Sequence, residues 1–218
     1  MDRPDWGAAY TDQQIAETLK RENIRCEKFE NEETLIAKTV DALTSGKVVG
    51  WFQGAFEWGP RALGYRSILA DPRNPKMKDI INIKIKFREP FRPFAPSALA
   101  DRAEEFFDLP GAAERLPARF MLYVSPVKES KRMLIPAVTH IDGTARLQTV
   151  FKETNPLYHK LIETFGQATG VPVVVNTSFN LKGEPIVNTP ENALSTFYRS
   201  GMDVLVLGRY FIEKEHRK

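Results

Sequence analysis

Arginine and lysine residues beside proline and glycine are the side chains of this 218-residue sequence most suited to chemistry. Arg61 lies in the run Trp-Gly-Pro-Arg-Ala-Leu-Gly at residues 58–64. Guanidinium groups bind phosphate oxygens in a fork, and glycine and proline restrict the backbone that carries them, so the run indicates an anion-binding loop. The alternative is a tight turn in which Arg61 pairs with Glu57. The run matches neither the Gly-Lys-Ser phosphate loop nor the Gly-x-Gly-x-x-Gly dinucleotide signature, so we expect any nucleotide to bind differently.

A second cationic segment, residues 84–92, interleaves basic and apolar side chains. In an extended conformation, alternation would put its four cations on one face, and these are Lys84, Lys86, Arg88 and Arg92. A solvated, charged strand edge is the alternative interpretation. Pro93 restricts Arg92 to extended backbone conformations, and a phenylalanine flanks the pair on each side, which favours a fixed cationic face.

Histidine and arginine flank a polar turn within residues 139–148. Arg146 is the stronger candidate for anion binding. His140 can contact a phosphate or orient the turn through Asp142, although a lone histidine is more often a packed or surface residue than a catalytic one.

A polar run follows the valine-rich stretch 171–175, which is predicted to be a central strand. The carboxyl ends of strands in open α/β sheets form ligand crevices, so hydroxyl and amide groups at this point are candidate ligands for phosphate or ribose. The candidates are Asn176, Thr177, Ser178 and Asn180. A polar turn is the alternative.

Capping residues and hydrophobic spacing predict the elements that must position these groups. Helices are expected at 11–21, 31–46, 74–81, 101–107, 155–166 or 155–170, and from 189. Strands are expected at 24–29, 48–52, 68–70, 94–99, 120–124, 146–150, 171–175, 204–207 and 210–212. The strand, helix and strand over residues 24–52 would place two parallel strands side by side.

Composition excludes several classes of protein. Hydrophobic residues make up 42% and charged residues 27%, as in globular proteins, and the length suits one α/β or α+β domain with a small appendage. No apolar stretch is long enough to span a bilayer, and the amino terminus lacks a signal-peptide pattern, so we expect a cytoplasmic protein. One cysteine, Cys26, and three histidines form no zinc-binding pattern, so no structural metal site is expected. The net charge of +3 is too small to indicate general nucleic-acid affinity.

Four segments together resemble the carboxyl-terminal domain of the O-carbamoyltransferases of nodulation-factor and antibiotic biosynthesis. They are residues 59–64, 86–97, 139–148 and 176–180, and the resemblance runs in order from Ile24 to Lys214. It implies a YrdC-like fold, which is a twisted, largely mixed α/β sheet flanked by helices, with a cationic concave face. It also implies a linker helix at residues 1–22 and the domain itself at residues 23–218.

The resemblance implies adenylation chemistry. Carbamoyl phosphate would be cleaved to carbamate, which would attack the α-phosphorus of ATP to give carbamoyl adenylate and pyrophosphate. The pocket residues implied by the family pattern are Arg61, Lys86 and Arg92 around carbamoyl phosphate and the α-phosphate, then Arg146, Asn176 and Ser178, with Lys84 and Arg88 as neighbours. A magnesium ion would bridge the triphosphate oxygens and need few protein ligands.

Full-length members of that family carry an amino-terminal domain similar to actin and sugar kinases, with a histidine-bound metal, which transfers the carbamoyl group to a hydroxyl acceptor. This domain is missing from the sequence, so the expectation is activation without transfer unless a partner supplies it. Two alternatives stay open. One is a module that binds duplex RNA on its cationic face, and the other is a non-catalytic subunit that stabilises a transferase.

Overall fold

The four longest helices begin at residues whose side chains cap the first turn. In the computed structural model, which describes residues 3–214, Thr11 and Thr189 each form a capping box, and Asn31 and Asn155 accept hydrogen bonds from first-turn N–H groups. The helices are α1 (Asp12–Arg21), α2 (Glu32–Thr44), α3 (Met77–Ile81), α4 (Leu116–Arg119), α5 (Glu129–Arg132), α6 (Pro156–Thr169) and α7 (Pro190–Arg199). No helix within the described residues has the length and apolar character needed to cross a membrane.

Nine strands in the described part of the chain form one sheet. They are β1 (Glu27–Lys28), β2 (Val49–Phe52), β3 (Arg66–Ala70), β4 (Ala95–Leu99), β5 (Tyr123–Pro126), β6 (Thr144–Val150), β7 (Val173–Ser178), β8 (Val204–Leu207) and β9 (Tyr210–Glu213). Their order across the sheet is β1-β9-β8-β2-β3-β7-β4-β6-β5. The pairs β2 with β8 and β4 with β6 are parallel, and the other neighbours are antiparallel. The sheet is therefore mixed, as predicted.

Alternating side chains of the strands build a core on each face of the sheet. On one face, Trp51 of β2 and Val174 of β7 pack with α2 and α6. On the other face, Phe52 and Val175 of the same strands pack with α1, α3 and α7. Each fully buried side chain of this kind stabilises the folded state by about 1.5–3 kcal/mol relative to leaving it exposed. Helices on both faces are thus what the alternation requires.

The segment predicted to be a linker, residues 1–22, contains α1, which packs against the sheet domain. Ile15 and Leu19 are buried in the core that α1 shares with α7. The Arg21 guanidinium pairs with Glu191 of α7 at 2.6 Å. Because this ion pair is exposed, the two buried apolar side chains hold α1 more firmly than the charges do.

The predicted pairing of the first two strands is wrong. β1 and β2 are separated by β8 and β9. Glu27 of β1 pairs with Phe211 of β9, and Val49 of β2 pairs in parallel with Val204 of β8. The last two strands of the described chain are inserted between the first two, and no local pattern within residues 24–52 signals this insertion.

Element bounds differ from the predictions in several further places, of which three concern the conformation of the backbone or the position of the polar run. The helix expected at 101–107 is a 3₁₀-helix over Ala100–Glu105. β5 begins at Tyr123 because Met121, near the predicted start, adopts a left-handed conformation with a φ of 56°. β7 continues to Ser178, so the polar run expected to follow it begins inside the strand.

Gly64 occupies a position that admits no side chain. Its φ is +101°, and an added Cβ would lie 2.2 Å from Cδ1 of Tyr158. We expect Gly64→Ala to lower the free energy of unfolding by more than Gly46→Ala does. Gly46 has a φ of +82° and no atom within 4 Å of an added Cβ. The control therefore isolates the backbone cost of roughly 1–2 kcal/mol.

In Gly64→Ala, crowding against Tyr158 should lower the free energy of unfolding by about 1–3 kcal/mol beyond this backbone cost. Urea titration of the two variants and the wild type measures the difference. Equal losses in both variants would contradict the tight contact between Gly64 and Tyr158.

A candidate anion-binding site

One cleft brings together basic side chains from separate parts of the chain. It has a volume of about 370 Å³ and is lined by Arg61, Arg88, Arg92, Pro93, Phe94, Ala95, His140 and Arg146. These residues come from the loop between β2 and β3, the segment before β4, the first residue of β4, the turn before β6, and β6 itself. The family resemblance places Arg61, Lys86, Arg92 and Arg146 in one pocket. Arg61, Arg92 and Arg146 line this cleft, and Lys86 does not.

Two of the arginines enter the cleft without a counter-ion. The Nε atoms of Arg61 and Arg146 are buried without a hydrogen-bond partner, and neither guanidinium forms an ion pair in the described part of the chain. Burial, followed by the charges of Arg61 and Arg88, lowers the pKa of Arg146. Arg92 differs, because its Nε donates to Glu89 at 2.8 Å and its side chain is 54% exposed. Partly buried cations that the protein leaves unneutralised favour the binding of an external anion.

Glu57 shapes the loop that carries Arg61. Its buried carboxylate accepts hydrogen bonds from the backbone N–H groups of Leu63, Tyr65 and Arg66 at 2.5, 2.9 and 3.0 Å. The tight-turn alternative, in which Glu57 pairs with Arg61, is therefore not what the loop forms. Burial raises the pKa of Glu57 to about 7, while the three N–H groups favour the ionised carboxylate and oppose this shift.

Buried polar side chains of three adjacent strands fasten the same loop to the sheet. Asn176 Nδ2 of β7 donates to the carbonyl oxygen of Ala62 at 3.0 Å, and Gln148 Nε2 of β6 donates to that of Leu63 at 2.9 Å. Ser97 Oγ of β4 donates to Gln148 Oε1 at 2.6 Å. The loop position is thus tied to the strand register. Asn176, a candidate phosphate or ribose ligand from the sequence, is engaged inside the protein and does not line the cleft.

The basic segment is helical where an extended conformation is predicted. α3 continues as a π-helix over Asn82–Lys86, and Phe87 ends it with a left-handed φ of 47°. The prediction that four cations share one face is therefore wrong, because a helical backbone turns successive side chains around its axis. Lys84 is exposed, outside the cleft, and its carbonyl oxygen accepts from the N–H of Gly201 at 3.0 Å.

Asn82 holds the residues that follow the π-helix. Its side chain is buried, Oδ1 accepts from Arg88 Nε at 2.7 Å, and Nδ2 donates to the carbonyl oxygens of Pro90 and Arg92 at 3.1 and 3.0 Å. The Arg88 guanidinium also lies 4.9 Å from the centre of the Phe94 ring. One uncharged amide thus positions Arg88 and the backbone of Arg92. The sequence-based prediction omits Asn82. The one sequence feature that could have indicated its role is its position as a polar residue within an apolar helical stretch.

Lys86 joins the π-helix to the end of β7. Its Nζ lies 2.5 Å from the carbonyl oxygen of Ser178, 3.0 Å from that of Asn180 and 2.7 Å from Asn180 Oδ1. Burial, followed by the charge of Arg88, lowers the pKa of Lys86 to about 7. Ser178 and Asn180 therefore bind this lysine, and they and Thr177 lie outside the cleft.

Comparison with known families matches residues 40–214 to the family described as Carbamoyltransferase C-terminus. The chain is 50% identical to nodulation protein NolNO of Sinorhizobium fredii, over 86% of this chain and 27% of that protein. It is 40% identical to the 3'-hydroxymethylcephem-O-carbamoyltransferase of Amycolatopsis lactamdurans, over 77% of this chain and 31% of that protein. The chain therefore spans less than a third of the length of either relative.

Among solved structures, the chain is similar to full-length HypF in its phosphate- and nucleotide-bound form. The TM-score is 0.55, the sequence identity is 18%, and the match covers 81% of this chain and 25% of that chain. At this identity the likeness concerns the fold alone. It confirms the predicted YrdC-like fold, a mixed α/β sheet flanked by helices.

Removing one unpaired cation should weaken anion binding without loss of stability. We expect Arg146→Gln to weaken the binding of inorganic pyrophosphate about ten- to a hundredfold, because a hydrogen bond to a charged group contributes about 1.5–3 kcal/mol. The free energy of unfolding of the ligand-free protein should stay equal or rise, because the charge that Arg61 and Arg88 repel is gone. Titration calorimetry and urea titration measure the two effects.

Arg102→Gln is the matched control for this experiment, since Arg102 pairs with Glu105 outside the cleft. It should leave the affinity for pyrophosphate unchanged. Unaltered affinity in Arg146→Gln, or an equal loss in Arg102→Gln, would contradict an anion site in the cleft.

The stability of the protein should depend on pH through Glu57. Its pKa rises from 4.5 to about 7 on folding, so between these values the folded protein keeps a proton that the unfolded chain loses. The contribution to stability is therefore full below pH 4.5 and is lost as the pH rises through 7, a fall of about 3 kcal/mol. Urea titrations across this range should show the fall in the wild type and not in Glu57→Gln. Identical pH profiles in the two proteins would contradict the raised pKa.

Proposed function

Because this chain belongs to the carbamoyltransferase C-terminal family, we propose that it forms carbamoyl adenylate from carbamoyl phosphate and ATP. The family match confirms the resemblance read from the sequence. In the proposed reaction, carbamoyl phosphate is cleaved to carbamate and phosphate. A carbamate oxygen then attacks the α-phosphorus of ATP, and pyrophosphate departs. The observation that supports this proposal most is the gathering of unneutralised arginines in one cleft.

The cleft suits reactions in which negative charge moves onto a departing group. Charge builds on phosphate when carbamoyl phosphate is cleaved and on pyrophosphate when ATP is attacked. Arg61 and Arg146 line the cleft and neither forms an ion pair in the described part of the chain, so their charges are available to the reactants. Arg88 is already held by Asn82. Donors fixed before the reaction stabilise developing charge with little reorganisation.

Magnesium enters this proposal as part of the Mg–ATP substrate. None of the described lining residues is a carboxylate. Across residues 3–214, no group of three or more histidine, cysteine, aspartate or glutamate side chains is arranged to hold a metal ion. The cleft is therefore unsuited to a resident magnesium ion, and the triphosphate oxygens would bring the ion with them.

Transfer of the carbamoyl group to a hydroxyl acceptor is proposed to need a further domain or subunit, similar to actin and sugar kinases. The relatives are more than three times as long as the matched region, and one of them is named as an O-carbamoyltransferase. The similar HypF structure holds phosphate and a nucleotide, which are the ligand classes proposed for this cleft. Carbamoyl adenylate is reactive towards water, so direct delivery to an adjoining domain would limit its loss.

The proposal predicts that the chain releases pyrophosphate from Mg–ATP only when a source of carbamate, such as the substrate carbamoyl phosphate, is also present. We expect Arg61→Gln to lower kcat/KM for this release about 10²–10³-fold, because it removes one donor directed at developing charge. The melting temperature should stay near that of the wild type, since Arg61 Nε has no protein partner to lose. A coupled pyrophosphate assay and thermal unfolding measure the two quantities, with Arg102→Gln as the control.

Two results would contradict the proposal and support the alternatives. ATP binding without pyrophosphate release under any condition would indicate a non-catalytic subunit. Steeply salt-dependent binding of duplex RNA without affinity for ATP would indicate an RNA-binding module.

A further inference from the structure

The turn before β6 contains a hydrogen-bond relay that ends at the cleft. Thr144 Oγ1 lies 2.7 Å from Asp142 Oδ1 and 3.1 Å from His140 Nδ1. Backbone hydrogen bonds close the same turn, since the N–H of His140 donates to the Thr144 carbonyl oxygen at 2.8 Å and the N–H of Gly143 to that of His140 at 2.9 Å. The imidazole of His140 lines the cleft.

The relay determines which imidazole nitrogen carries the proton. Hydrogen bonds from Thr144 lower the pKa of Asp142, so its carboxylate is ionised at neutral pH and can only accept. The single hydroxyl proton of Thr144 therefore points to Asp142, and the Thr144 oxygen accepts from His140 Nδ1–H. Nε2 is left unprotonated, and it has no hydrogen-bond partner in the described part of the chain.

The surroundings keep the His140 ring neutral. Burial lowers the pKa of His140, the nearby Asp142 carboxylate opposes this shift, and the Arg146 guanidinium reinforces it. The remaining charged groups that line the cleft are also cationic, namely Arg61, Arg88 and Arg92. Guanidinium groups stay protonated in proteins, so among the described lining residues His140 alone can accept a proton at neutral pH.

We propose that His140 is the general base that activates water for the cleavage of carbamoyl phosphate. This assignment rests on the proposed function and names the residue for its first step. Nε2 takes a proton from water as the water oxygen bonds to the carbamoyl carbon. The bond from this carbon to the phosphate oxygen then breaks, and the imidazolium returns the proton to the departing phosphate. Carbamoyl phosphate dianion and water thus give carbamic acid and hydrogen phosphate dianion, and carbamic acid then loses a proton to solvent to give the carbamate that attacks ATP.

Thr144 acts through His140 and is a positioning residue. Its hydroxyl orients the imidazole and selects the tautomer with a free Nε2. Thr144→Val should therefore slow cleavage, because the ring loses its acceptor at Nδ1. Thr144→Ser keeps the hydroxyl and should restore the rate, which a loss of packing alone would not explain.

The test separates cleavage from adenylation by supplying carbamate directly. Ammonium and bicarbonate equilibrate with carbamate in solution, so they bypass the cleavage of carbamoyl phosphate. Two rates are measured, phosphate release from carbamoyl phosphate and pyrophosphate release from Mg–ATP with ammonium bicarbonate. The variant is His140→Asn, which keeps an N–H donor for Thr144 and cannot take up a proton. His159→Asn, on α6 and outside the cleft, is the matched control.

We expect His140→Asn to slow phosphate release about 10²–10⁴-fold, which is the usual contribution of a general base. Pyrophosphate release with ammonium bicarbonate should be slowed far less, because this reaction does not need the base for cleavage. In the wild type, phosphate release should also decline at pH values below the lowered pKa of His140. This acidic limb should be missing from the variant.

Equal slowing of both rates in His140→Asn would overturn the assignment, because a base for cleavage has no part in adenylation. Unchanged phosphate release would overturn it as well. A wild-type chain that forms pyrophosphate from neither carbamoyl source would overturn the proposed function itself, and the role of His140 with it.

Discussion

Repulsion between guanidinium groups is the constraint on which the rest of this structure depends. Arg146 lies close enough to Arg61 and Arg88 for their charges to lower its pKa, and burial adds to the effect. Such an arrangement is unfavourable in the ligand-free protein and persists only where the surrounding structure holds it. An anion in the cleft removes the repulsion, so part of the stability given up by the fold is recovered as binding energy.

Buried polar side chains that bind backbone groups hold these arginines in place. The Glu57 carboxylate accepts hydrogen bonds from three backbone N–H groups that follow Arg61 in its loop. Asn82 binds two backbone carbonyl groups and the guanidinium of Arg88. Leaving a buried donor or acceptor unpaired costs about 1–3 kcal/mol, so each segment has one strongly preferred geometry. Because Asn82 is uncharged, it positions Arg88 without neutralising the guanidinium. A carboxylate at this position would neutralise that charge.

Local elements were predictable from the sequence because their determinants are local, as the capping box at Thr11 illustrates. The conformation of residues 84–92 was not predictable, since alternating cations and apolar residues over so short a span fit one helical turn as well as a strand.

For the candidate site, shared chemistry was enough to group Arg61 with Arg146. Asn82 was missed because its partners include backbone atoms, which leave no pattern in the side chains. The sheet order was missed because it depends on strands far apart in the chain.

The place of β7 in the sheet has a consequence for synthesis on the ribosome. β7 lies between β3 and β4, although both precede it in the chain by a long interval. Until β7 emerges, β3 and β4 each present an open hydrogen-bonding edge to other nascent chains. Asn176 of this late strand also fastens the loop that carries Arg61. The cleft can therefore be completed only after β7 has been synthesised.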